Sequence, residues 1–117
     1  MYGLPSDFDV SPFIGRRLDS VTFYEFMVHF SFEDGPQVSA ESGFLFRRSS
    51  GELVRQTPPI SQSDVIGLVG KLVTSASASE EGTLNLTFDN GAFVEFRDDL
   101  PNYESYSVYI GGQRTIV

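Results

Sequence analysis

Two stretches of the chain alternate apolar and polar side chains, and each runs into a turn signal. From Tyr24 to Phe32, Tyr24, Phe26, Val28, Phe30 and Phe32 share one parity, while Glu25, Met27, His29 and Ser31 share the other. A period of two is that of a strand with one buried face, so the first set is expected to point inward. Further along, Leu84, Leu86 and Phe88 are expected inside, with Thr83, Asn85 and Thr87 outside. Asp34-Gly35 closes the first stretch and Asn90-Gly91 the second, each followed by apolar residues. A two-residue turn at Asn90-Gly91 would set Leu86 against Glu95 and mix polar with apolar on one face. A three-residue loop, Asp89-Asn90-Gly91, pairs Leu86 with Val94 and Leu84 with Phe96, and only that register keeps the face apolar. It requires Gly91 in the left-handed region, as the bulge after a type I turn. The same geometry at Gly35 pairs Phe30 with Val38 and Val28 with Ala40.

The pattern also repeats. Asp9-Val10-Ser11-Pro12-Phe13-Ile14-Gly15-Arg16-Arg17-Leu18 is echoed by Asp64-Val65-Ile66-Gly67-Leu68-Val69-Gly70-Lys71-Leu72-Val73, 55 positions on. The hairpins follow at a spacing of 56, Glu41-Ser42 returns as Glu104-Ser105, and Leu53-Val54 as Ile116-Val117. Several matches in one order point to an internal duplication. Ser11 with Pro12, and Ser63 with Asp64, read as starts of short helices of about two turns at most, stopped at Gly15 and Gly70. Third strands are expected at Gly43–Arg47 and Ser105–Ile110, and fourth strands at Leu53–Arg55 and Thr115–Val117. Gln56 to Ser61, with its paired prolines, reads as the linker and Ser75 to Gly82 as a polar loop. The expected fold is mainly β (α+β): two helix-then-antiparallel-strands units, about 9–55 and 64–117, packed around one core in a single domain, 1–117.

Composition changes this picture little. The 117 residues are 40% apolar and 14% aromatic, with eleven Phe and five Tyr, which suits strands. Charge changes it more. Sixteen acids against eight bases leave a net charge of −8, a field that repels phosphate backbones and attracts a basic partner. Nucleic-acid binding is therefore disfavoured. Cysteine is absent, so neither a disulfide framework nor a thiolate site is available. The opening Met1 to Asp7 lacks the basic-then-apolar pattern of a signal peptide, and no apolar run reaches membrane-spanning length. A cytoplasmic protein without membrane contact is the expectation.

Candidate chemistry is sparse. His29 is the single histidine and falls opposite Ser39 on an outward face; with no second histidine or nucleophile motif beside it, a solvated strand residue is the favoured reading. Glu80-Glu81 and Asp98-Asp99 lack the spacing of a calcium loop, and no cofactor or metal site is expected. Tyr103, Ser105, Ser107 and Tyr109 alternate along one strand face, and Tyr and Ser are adaptable contact residues. Phe93 falls on the polar side of its hairpin. Phe93, Asp98, Asp99, Tyr103 and Tyr109 are therefore the candidate binding residues, with aromatic anchors and acidic rim.

The opening Met1-Tyr2-Gly3-Leu4-Pro5, the Ile14-Gly15-Arg16 segment, the run Gly82 to Gly91 and the closing Tyr103-Glu104-Ser105-Tyr106 resemble an uncharacterised family of small bacterial domains of unknown function. That resemblance implies a bacterial protein of this length and transfers no catalytic residue. The expected function is a non-enzymatic protein-interaction domain, an immunity-like protein blocking a basic partner. The alternatives are a small-molecule binding domain, with its ligand between the two repeats, and an enzyme built around His29 or the carboxylates. Edge strands would allow two copies to pair, but the sequence leaves the oligomeric state open.

Overall fold

The computed structural model describes residue 4 and residues 8–41, 43–79, 82–98 and 105–117. Ten strands occur: β1 Leu18–Phe23, β2 Val28–Phe32, β3 Gln37–Ala40, β4 Phe44–Arg47, β5 Val54–Gln56, β6 Val73–Ala78, β7 Leu84–Phe88, β8 Phe93–Phe96, β9 Tyr106–Ile110 and β10 Gln113–Ile116. They form two antiparallel sheets, with orders β1-β2-β3-β9-β10 and β5-β4-β8-β7-β6. Each sheet thus takes three consecutive strands from one half of the chain and two from the other.

Both hairpins adopt the register that keeps one face apolar. Phe30 pairs with Val38 and Val28 with Ala40; Leu86 pairs with Val94 and Leu84 with Phe96. Gly35 and Gly91 have φ of +115° and +84°, and their amides donate to the carbonyls of Phe32 and Phe88. The inward residues of both sheets are buried in one cluster that draws on both halves. Phe30 of the first sheet meets Phe44 and Phe96 of the second edge to face, at centroid distances of 5.2 Å, a favoured arrangement of ring quadrupoles.

The expected helices do not form. Ser11–Phe13 and Asp64–Leu68 are single 3₁₀ turns of three and five residues. Gly15 and Gly70 stop them early, at φ of +80° and +90°, and so short a segment gains too few hydrogen bonds to build an α-helix. Ser63 caps the second turn, accepting from the Val65 amide at 3.2 Å. Ser11 does not cap the first; Asp9 accepts from the Ser11 amide instead, at 3.0 Å. The fold is a β-sandwich rather than α+β.

Three strand readings also change. The strand expected from Tyr24 begins only at Val28. Tyr24 and Phe26 lie in the β1–β2 turn, closed by the Tyr24 amide donating to the Met27 carbonyl at 2.8 Å. β1 gave no clear alternation and was not expected. β6 occupies the first half of the segment read as a loop.

The two turns pack against one another across the halves. Gly15 N–H donates to Val73 O and Gly70 N–H to Leu18 O, both at 2.8 Å. Arg17 and Leu72 form an isolated antiparallel bridge between them. β1 and β6 leave this corner as edge strands of different sheets, each with a register shift one turn in, between Leu18 and Ser20 and between Val73 and Ser75.

Candidate functional site

The sandwich has two chemically different ends. At one, Arg16 pairs with Asp34 at 2.7 Å, the Arg17 guanidinium donates to Gly70 O at 2.7 Å, and Arg48 pairs with Asp64. Arg16, Arg17 and Arg48 are thus engaged locally. At the other end the strand termini present carboxylates beside Arg97, which is itself paired with Glu95. Tyr24 to Met27 caps β1–β2, Val28 pairs with Ala40 and Ala40 with Tyr106, and the Glu41 amide donates to Ser105 O at 3.0 Å. Glu25 and Glu41 are exposed there, and the Ser105 hydroxyl donates to Asp98 Oδ1 at 3.4 Å. Above this rim stands the β1–β2 turn, with Tyr24 52% and Phe26 75% exposed. An aromatic pair so open is costly in water and is the kind of feature that marks contact surfaces.

The candidate binding residues are not brought together. Phe93 lies on the outer face of the second sheet, with the Arg47 guanidinium 5.3 Å from its ring centre. Tyr109 lies on the outer face of the first sheet, with Arg114 at 5.7 Å. Asp98 sits at the acidic end, half-buried. Asp99 and Tyr103 lie outside the described residues. Ser105 and Ser107, which share the alternating face with Tyr109, are buried. The aromatic turn escaped the sequence reading because its residues continue the alternation of β2 without a break.

His29 shares a 2.7 Å hydrogen bond with Ser39 Oγ, as the paired register requires. Ser39 is buried, so the hydroxyl has little access to a substrate, and the pair serves as a cross-strand contact. Tyr106 is buried and donates its hydroxyl to Gly82 O at 2.7 Å; burial, with Asp98 nearby, pushes its pKa well above the ordinary value of 10.0. Among the described residues no three His, Cys, Asp or Glu side chains gather as a metal site would need, and no helix is long and apolar enough to cross a membrane.

Two crevices occupy equivalent places. One, of about 420 Å³, lies between β4–β5 and the second 3₁₀ turn and is lined by Phe46, Arg48, Val54 and Asp64 among others. The other, of about 250 Å³, lies between β9–β10 and the first turn, lined by Asp9, Pro12, Val108, Ile110 and Thr115. Each is bounded by both halves of the chain. The first holds an ion pair and the second a single acid, Asp9, with no base in its lining, so the two are not tuned to one ligand.

Comparison with known proteins matches residues 10–117 to one family model, described as a family of unknown function (DUF6188). No curated protein and no solved structure matches.

Proposed function

This chain belongs to that family of unknown function, and we propose that it is a non-enzymatic protein-interaction domain, an immunity-like protein of the bacterial cytoplasm that blocks a basic partner. The observation that carries this reading is the exposed Tyr24 and Phe26 pair standing over Glu25 and Glu41. Aromatic side chains supply contact area, while the surrounding carboxylates and the net charge of −8 raise the encounter rate with a basic surface. The test is capture of partners from the source organism with the wild-type chain and with Tyr24→Ala/Phe26→Ala. A basic protein held in equal amount by the wild type, and lost from the double variant, is expected. Recovery of no stoichiometric partner, or equal recovery with both chains, would sink the reading.

A second reading has the 420 Å³ crevice between the halves taking a small molecule. Its support is position, since clefts where two units meet are common ligand sites. Shifts in the amide signals of Arg48 and Asp64 on fragment addition would favour it.

We further infer that the halves, about 9–55 and 64–117, arose by duplication within one domain. The same element order, the matched amide–carbonyl pairs of Gly15 and Gly70, and the matched register shifts support it.

A further inference from the structure

We propose that two copies of this chain associate through β6, pairing their second sheets edge to edge into one continuous sheet. The inference is independent of the partner-binding reading. Among the described residues four strands form sheet edges: β1, β10, β5 and β6. Sheet edges expose unpaired backbone groups, and natural proteins guard them with charge. β1 carries Asp19, β10 carries Arg114 and β5 carries Arg55, whereas β6, Val73-Thr74-Ser75-Ala76-Ser77-Ala78, carries no charge and no proline. β1 and β6 leave the same corner with the same register shift, yet β1 has Val21 and Phe23 where β6 has Ala76 and Ala78. The bulk and charge that guard one edge are missing from the other.

The occupant is a second copy because the strand is complementary to itself. Ala76 pairs with Leu86 and packs against the core, while Ser75 and Ser77 pair with Thr87 and Asn85 on the outer face. An antiparallel pairing of β6 with itself about Ala76 sets Ala76 against Ala76 on the inner side. It sets Ser75 against Ser77 of the second copy on the outer side, twice. Every inward residue then meets an inward one, and hydroxyl meets hydroxyl, a favourable cross-strand pair. A two-fold contact of this kind closes on itself and stops at two copies. So short a seam buries less than the roughly 1,200 Å² at which stable interfaces begin. The dimer is therefore weak, and its population follows concentration. Each copy carries −8, so added salt strengthens the association by screening repulsion, the reverse of its effect on a basic partner.

The experiment is sedimentation of the wild type and of Ser75→Lys/Ser77→Lys across a concentration series at low and high salt. Wild-type mass should rise toward twice that of one chain, further at high salt. The double variant, which sets cation against cation at both outer pairings, should keep the mass of one chain. A wild type that stays single to the highest concentration, or a folded double variant that still dimerises, overturns the proposal. Should the variant not fold, hydrogen exchange of the wild type decides. The amides of Ala76 and Ala78, which face away from β7, exchange more slowly in concentrated than in dilute solution if β6 is the seam, and equally if it is not.

Discussion

Three glycines at positive φ differ in what surrounds them, and that difference orders the effects of adding one methyl group. A Cβ at Gly35 would meet nothing within 4 Å, at Gly91 it would come 3.0 Å from Ser49 Cβ, and at Gly43 it would fall 2.0 Å from the Gln56 carbonyl oxygen. Gly35→Ala should therefore cost about 1 kcal/mol from backbone strain alone. Gly91→Ala should cost slightly more, and Gly43→Ala about 3 kcal/mol or more, because two backbones must part. Urea denaturation of the three variants checks the order. Gly35 and Gly91 were legible in the sequence because a turn after an alternating strand declares its own geometry. Gly43 was not, because its constraint comes from Gln56 on the neighbouring strand. Tyr106 offers a second test. Tyr106→Phe leaves Gly82 O without its donor and should cost about 1–2 kcal/mol at neutral pH. The folded pKa of Tyr106 is raised, so its contribution is complete below pH 10. It is lost as pH climbs further, because the unfolded tyrosine then releases its proton while the folded one holds it. The stability curves of wild type and variant should converge above pH 10, by about 1.4 kcal/mol per pH unit.

Single elements show where periodicity works and where it misleads. β2, β3, β7 and β8 were readable because bulky residues alternate along them and a glycine turn sets their register. β6 was not, because Thr74, Ser75, Ala76, Ser77 and Ala78 differ too little in size to mark an inside. The β1–β2 turn misled in the other direction, since Tyr24 and Phe26 fall in phase with Val28 and nothing in the pattern separates them. The structure predicts opposite outcomes for these two sides of one alternation. Val28 is fully buried, so Val28→Ala should cost about 2 kcal/mol. Phe26→Ala should move thermal stability by less than about 0.5 kcal/mol and reduce partner affinity about tenfold. Melting curves and titration with the captured partner separate the two. The candidate site was legible only in its chemistry, aromatic residues beside acids. Its location was not, because Phe93 and Tyr109 share a character but belong to strands of different sheets.

At the scale of the whole molecule, each sheet is completed by strands from the other half. β9 and β10 finish the sheet begun by β1, β2 and β3; β4 and β5 finish the sheet of β6, β7 and β8. Neither half has a closed core by itself. Residues 1–59 and 60–117 expressed separately should each lack a cooperative melt, and mixing them should restore one, as read by circular dichroism; a half that melts cooperatively alone contradicts this. That exchange was invisible in the sequence, since a strand's own pattern shows which face it buries and not which neighbour it will find. It also governs how fast the chain reaches its native state. The seams that join the halves pair Gln37 with Tyr109 and Leu45 with Glu95, residues far apart along the chain, and neither seam can close until both halves have met. Closing such long loops before any contact rewards it is slow. The local hairpins should form first as transient structure, with the seams last, and refolding should take milliseconds to seconds rather than microseconds.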